Sequence, residues 1–325
     1  MTAPPLTPAR RSVLAVGVPI VLAVIILAVY GWADAGVRFL AFREQVGYSV
    51  RFSVPVTAGQ VRVSNSNGDL TVRPVTGHRI EVHGKLTGTF RRPWLHYRTS
   101  AGGLQLDPGC WVGIGICSIQ LAIGAPAGLP VSVSDSFGTL QAGNLHGRIG
   151  LSDNSGDLVV SALTGTIRLN DSFGNMTARN LAGSILLVNN SGDIQASGVT
   201  GDTQIRDSFG NVDITGLSAA DVTASNNSGD VVLSFSRVPD NVQITDAFGN
   251  VTLELPPGTA TYRVHAQTTF GNRTVSVPQS PSATHVITVT NNSGDITIAN
   301  EPGNPPSAPS APSAPPASPA APSAG

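Results

Sequence analysis

Four aspartates recur along the chain, Asp135, Asp171, Asp207 and Asp246, each followed two residues later by phenylalanine and three later by glycine. A file of carboxylates is what acid–base hydrolysis of a glycan would use, one group protonating the leaving oxygen and another acting on water or on the sugar. A second set, Asp157, Asp193, Asp230 and Asp295, directly follows glycines, as in repeats that ligate calcium. The histidines (His78, His83, His96, His146, His265 and His285) fall at unrelated phases, and Lys85 is the only lysine. A simpler chemistry covers both aspartate sets, because Asp and Asn at a chain reversal bond the backbone amides of their own turn. The calcium repeats also need a denser Gly-Gly-x-Gly-x-Asp series than this chain has. The residues therefore assign no catalytic group, no metal ligand and no cofactor. A carbohydrate-active β-helix enzyme is kept only as a remote alternative.

What must position these residues is a repeat. One spelling of its turn is Asp-Ser-Phe-Gly at 135–138, 171–174 and 207–210, with Asp-Ala-Phe-Gly at 246–249. The other is Asp-Asn-Ser-Gly-Asp at 153–157 and Asn-Asn-Ser-Gly-Asp at 189–193, 226–230 and 291–295. Thr269-Phe270-Gly271-Asn272 reads as a degraded copy and Asn65-Ser66-Asn67-Gly68-Asp69 as an early one. The turn glycines Gly138, Gly156, Gly174, Gly192, Gly210, Gly229 and Gly249 stand 18 to 20 residues apart. Such a period marks a solenoid. Between turns, apolar and polar residues alternate, as in Ile167-Arg168-Leu169-Asn170, which is strand periodicity. The expected fold is all-β, a single-stranded β-solenoid (β-helix) with about 18 residues per coil, preceded by one transmembrane helix. A coil of about 36 residues would leave a section too wide for these small side chains to fill, since facing sheets pack about 10 Å apart.

Composition bounds the rest. Charged residues are 12% and the formal net charge is -1, which gives no electrostatic case for nucleic acid. Residues 1–12, with Arg10-Arg11, read as a cytoplasmic N-terminus, and the uncharged run 13–32 as a signal anchor ending at Tyr30 and Trp32. Ala33-Asp34-Ala35 leaves open secretion after signal cleavage. Residues 33–47 read as a juxtamembrane linker, with a short helix at Val37 to Gln45. Residues 48–130 read as a β region with a cap, 131–300 as the repeats, and 301–325 as a disordered Pro/Ala/Ser tail. The expected place is the cell membrane, single-pass, with the repeats outside the cytoplasm.

Cys110 and Cys117 are the only cysteines. Outside the cytoplasm a pair this close reads as a disulfide closing a small loop, pinning a cap with Trp94, Tyr97 and Trp111 as lid residues. The Ser-Gly-Asp turns at Ser155, Ser191, Ser228 and Ser293, this cysteine pair and the run Ile119 to Pro130 together resemble the DUF4097 family of bacterial candidate adhesins. The resemblance covers roughly Tyr48 to Asn300. It implies a surface-exposed solenoid with no established chemistry, often carried behind one membrane helix. The phenylalanine spelling at every other turn departs from what the family leads one to expect.

Phe137, Phe173, Phe209 and Phe248 thus carry the functional question. If each ring folds over the end of the core, the phenylalanines seal the coil, which is the preferred reading. If they face solvent, they form an apolar contact stripe. The two function classes divide on this point. One is an adhesin-like surface module without catalysis, binding a protein or a cell-surface polymer. The other is a purely structural or regulatory extracytoplasmic domain.

Overall fold

The structure, a computed structural model, describes residues 45–55, 59–89, 92–100, 103–110 and 117–301. The expected anchor at 13–32, the segment before it, most of the linker with its helix, Trp111 and the Pro/Ala/Ser tail lie outside these residues. Among the described residues the secondary structure is strand and turn, and no helix is long and apolar enough to cross a membrane. The first strand opens at Gln45, so the linker as read from the sequence ends too late. The chain divides into two compact units, up to Ala178 and from Arg179.

In the first unit, strands pair in parallel with a coil's offset. Ile149 lies beside Val131 and Leu151 beside Val133, while Leu158 lies beside Leu140. Each coil contributes one strand before the Asp-x-x-Gly turn and one after it. Alternate residues point inward, so Val131, Val133, Leu140, Ile149, Leu151 and Leu158 are all buried. The coil built from Gln60–Ser64 and Asp69–Val75 joins this stack out of sequence order. Its first strand pairs with both Gly103–Gly109 and Val131–Asp135, and its second with both Cys117–Pro126 and Gly138–Gly143. The earliest coil is therefore slotted between the two that follow it. An antiparallel layer continues outward: Gln45–Pro55 pairs with Arg79–Thr89, which pairs with Cys117–Pro126.

The expected disulfide is present, joining Cys110 to Cys117. It links the end of Gly103–Gly109 to the start of Cys117–Pro126, the place where other coils carry the Asx-rich turn. The expected lid differs in detail. Trp94–Ser100 pairs antiparallel along Gly103–Gly109, with Trp94 packed against Gly109. Tyr97, by contrast, is exposed and stacks on Phe52 at 4.6 Å between ring centroids.

The second unit repeats the pattern and mirrors the exception. Ile185, Thr203, Val222 and Val242 form one inward column, and Ile194, Val212, Val231 and Val251 the facing one. The coil His285–Ser293 and Ile296–Asn300 then inserts between the coils 241–255 and 262–276. The order in space is thus not the order in sequence. The outermost strand places Arg273, exposed, where its neighbour has buried Ile296. A charge at a core position blunts an open edge against further pairing.

Candidate functional site

Each turn carries five consecutive positions with distinct duties. The first is buried Asx. Asp135, Asp207 and Asn226 each accept a hydrogen bond from the next residue's amide, through Ser136, Ser208 and Asn227 at 2.8, 2.9 and 2.8 Å. At three of the Asn turns Nδ2 also donates across the turn, from Asn65 to the Gly68 carbonyl, from Asn189 to Gly192 and from Asn226 to Gly229, whereas Asn291 donates to the Gly249 carbonyl of the neighbouring coil. The side chain therefore fixes the reversal.

The fourth position is glycine because the coils touch there. A Cβ on Gly156 would run into the Gly138 carbonyl, and one on Gly174 into that of Gly156. In the second unit Gly210 sits in the same way on Gly192, Gly229 on Gly210 and Gly249 on Gly229. Gly192 also has φ 120°, which side chains disfavour. Close approach governs the whole row, while positive φ applies to only part of it.

The fifth position is an exposed Asx ladder that ties coil to coil. Asp157 accepts the Asn175 amide, Asp193 that of Asn211 and Asp230 that of Asn250, at 3.2, 2.9 and 2.8 Å. Asn211 and Asn250 pass the ladder on to the next coil by accepting the amides of Asp230 and Asp295, both at 3.0 Å. The aspartates that resemble a calcium series thus hold backbone amides. Among the described residues no group of three or more His, Cys, Asp or Glu is arranged for a metal ion.

The buried first position holds the strongest electrostatics. In the second unit Asn189, Asp207, Asn226, Asp246 and Asn291 alternate amide and acid. Burial pushes Asp207 and Asp246 each up to about 6. The first unit breaks the alternation, because Asp153 lies directly beside Asp135. Burial, then the Asp153 charge, pushes Asp135 up to about 7 and Asp171 up to about 6. Burial also raises Asp153 itself. Carboxyls of raised pKa can serve as general acids, but these lie beneath their own turns, 1 to 3% exposed for Asp135, Asp153, Asp171 and Asp246.

The third position alternates Phe with Ser, and here the preferred sequence reading fails. Phe137 and Phe173 in the first unit are 55% and 59% exposed, and Phe209, Phe248 and Phe270 in the second are 56%, 55% and 69% exposed. None seals a coil. The core ends on the buried Asx row, so the ring at the third position is carried beyond it, outward. Phe270, read from the sequence as part of a degraded copy, is a full member. It lies beside Ser293, which lies beside Phe248. The order Phe209, Ser228, Phe248, Ser293, Phe270 is therefore strictly alternating in space, although in sequence two phenylalanine turns follow one another. Only the coil insertion restores the alternation, and spacing along the chain gives no sign of it.

A second surface was not visible in the sequence. In the first unit an open groove of about 740 Å³ is lined by Arg51, His83 and Lys85 on one side and Asp69 and Thr139 on the other. Arg51 Nε donates to His83 Nδ1 at 3.0 Å, and His83 Nε2 lies 3.6 Å from Glu81. These residues meet only through the antiparallel register of strands whose pairing the sequence does not specify. His285, in the second unit, bonds the Pro239 carbonyl and lies 3.3 Å from Asp240.

Residues 140–299 match the sequence model of the family described as Toastrack DUF4097. No curated protein matches the chain significantly. Among solved structures, a candidate adhesin from Parabacteroides merdae ATCC 43184 is 14% identical, with a TM-score of 0.43 over 75% of this chain and 95% of its own. Another from Parabacteroides distasonis ATCC 8503 is 13% identical, with a TM-score of 0.42 over 75% and 97%. A candidate cell adhesion protein from Clostridium sporogenes ATCC 15579 is 12% identical, with a TM-score of 0.23 over 78% and 100%.

Proposed function

The repeat region, residues 140–299, belongs to the DUF4097 Toastrack family, and from that premise we propose that the chain is an adhesin-like surface module that works by contact and not by catalysis. Its anchor is the apolar run 13–32, with the repeats outside the cytoplasm. Its partner is a protein or polymer of the cell surface. The observation that carries the reading is the phenylalanine row, whose rings are more than half exposed at one turn position in each unit. A solenoid that needed only to stand as a spacer would have no use for such rings, since exposed apolar rows carry a risk of association. The serine between them keeps each ring separate, and aromatic side chains are the groups most enriched at contact surfaces.

The test is the variant Phe209→Ala, Phe248→Ala, Phe270→Ala in the full chain. Its melting temperature should stay close to the parent's, because each exposed substitution shifts stability by about 0.5 kcal/mol or less. Its retention on whole cells and cell-wall fractions should fall at least tenfold. Unchanged retention at an unchanged melting temperature would sink the proposal.

A further inference from the structure

The segment 302–325 carries proline at 302, 305, 306, 309, 312, 315, 316, 319 and 322, so from 306 to 315 every third residue is proline. A polyproline II helix has three residues per turn and rises 3.1 Å per residue, which lines those prolines along one edge about 9.3 Å apart. In the second unit, exposed rings stand on every second coil, Phe209, Phe248 and Phe270, with Ser228 and Ser293 on the coils between. Parallel strands lie about 4.8 Å apart, so the rings repeat at about 9.6 Å. The two rows differ by about 0.3 Å per step, or about 0.6 Å over the two intervals of the ladder.

We propose that this ladder is a docking strip for a polyproline II segment with proline at every third position, and that its occupant is the chain's own segment 302–325. Proline-rich helices dock on aromatic-lined surfaces because they are already extended and lose little conformational freedom on binding. The prolines enter the notches that Ser228 and Ser293 leave between rings. Ser and Ala fill the other two positions of each turn and keep that edge slim. The segment carries no charged residue, so nothing in it opposes burial against phenylalanine.

Reach is sufficient. Glu301 donates its amide to Leu255, at the far end of the strand Ile296–Asn300 from the turn that holds Ser293. Returning to the ladder means covering about seven residues of strand, or about 23 Å, and running along it takes about 19 Å more. The 24 residues from 302 to 325 extend about 74 Å as polyproline II. This self-docking does not depend on whether the ladder also binds a cell-surface partner.

The experiment uses the full chain with ring-labelled phenylalanine, observed by NMR, and a full-length variant whose residues 306–322 are reordered so that proline no longer recurs every third. The ring signals of Phe209, Phe248 and Phe270 should differ between the two, while that of buried Phe235 stays in place. A tenfold excess of the free peptide 306–322 should return the variant's signals toward the parent's. The differences should be the same when the protein is diluted tenfold. Identical signals in parent and variant would overturn the proposal, as would no response to the peptide. Differences that fade on dilution would overturn it too, because the occupant would then come from a second copy. Loss of cell retention in the triple alanine variant with none of these ring shifts would leave the surface reading standing and remove this one alone.

Discussion

Asp153 is the one residue of its row that breaks the rule of its spelling. The equivalent turns carry Asn65, Asn189, Asn226 and Asn291. Restoring the rule with Asp153→Asn should stabilise the first unit at alkaline pH. The new amide should donate to the Gly156 carbonyl, as Asn65, Asn189 and Asn226 donate to the glycine three residues on. One such hydrogen bond contributes about 0.5–1.5 kcal/mol. The change also removes the charge that raises both Asp135 and Asp171. Relief of two like-charge neighbours adjacent across strands is worth about 1 kcal/mol in sum. The total is about 2 kcal/mol, or about 4–8 °C in melting temperature for a protein of this size.

The sign with pH follows from the direction of the shifts. Asp135 and Asp171 hold protons in the folded state up to about 7 and about 6, against an ordinary value of 3.8. The folded chain therefore binds more protons than the unfolded one between those limits. The stability these two groups contribute is fully present below about pH 4 and is lost as pH rises through about 7. Thermal melts of parent and Asp153→Asn at pH 4.5 and pH 8 should differ more at pH 8, because at pH 4.5 Asp135 and Asp171 hold their protons and no longer repel a charge at position 153. A variant no more stable at pH 8, or equally stabilised at both pH values, would refute the electrostatic account of this row.

Two other perturbations separate causes that the sequence leaves merged. Gly210→Ala places a Cβ against the Gly192 carbonyl and should cost about 1–3 kcal/mol, the range for overpacking. Gly77→Ala has φ 95° but nothing within 4 Å of the added carbon, so it should cost only about 1 kcal/mol of backbone strain. Chemical denaturation of the pair checks this, and a Gly210→Ala loss no larger than that of Gly77→Ala would mean that contact between coils does not require glycine at that position. On intact cells, Cys110 and Cys117 should react with a membrane-impermeant thiol reagent only after mild reduction. Labelling that requires lysis would defeat the proposed placement of the repeats outside the cytoplasm.

Much of the coil was legible because its rules are local. Glycine at 138, 156 and 174 reports contact between coils, and the alternation of Ile167, Arg168, Leu169 and Asn170 reports an inward face. The fate of the phenylalanines was not legible. Hydrophobicity marks them for a core, whereas the Asx row beneath them already ends it, and only the register shows that Asp135 and not Phe137 is the buried member of its turn. The groove around Arg51 and Lys85 was hidden for a similar reason, since its antiparallel partners are set by long-range pairing.

The two out-of-order coils have one physical cause in common. An end coil has a neighbour on one side only, and its strands leave unpaired backbone groups exposed to further addition. In each unit the coil nearest the end of the repeat sequence is placed inward, where it gains a second neighbour. The exposed end is left to a coil carrying a different protection. In the first unit that coil holds the Cys110–Cys117 disulfide and the antiparallel strand Trp94–Ser100. In the second it holds Arg273 at a core position. The insertion also decides what the surface presents. With the coils in sequence order, Phe248 and Phe270 would stand on adjacent strands, about 4.8 Å apart, and the notch between them would close. With Ser293 between them, the ladder keeps one pitch over its full length. The same intercalation that protects the edge therefore makes the phenylalanine row regular enough to be read by a periodic ligand.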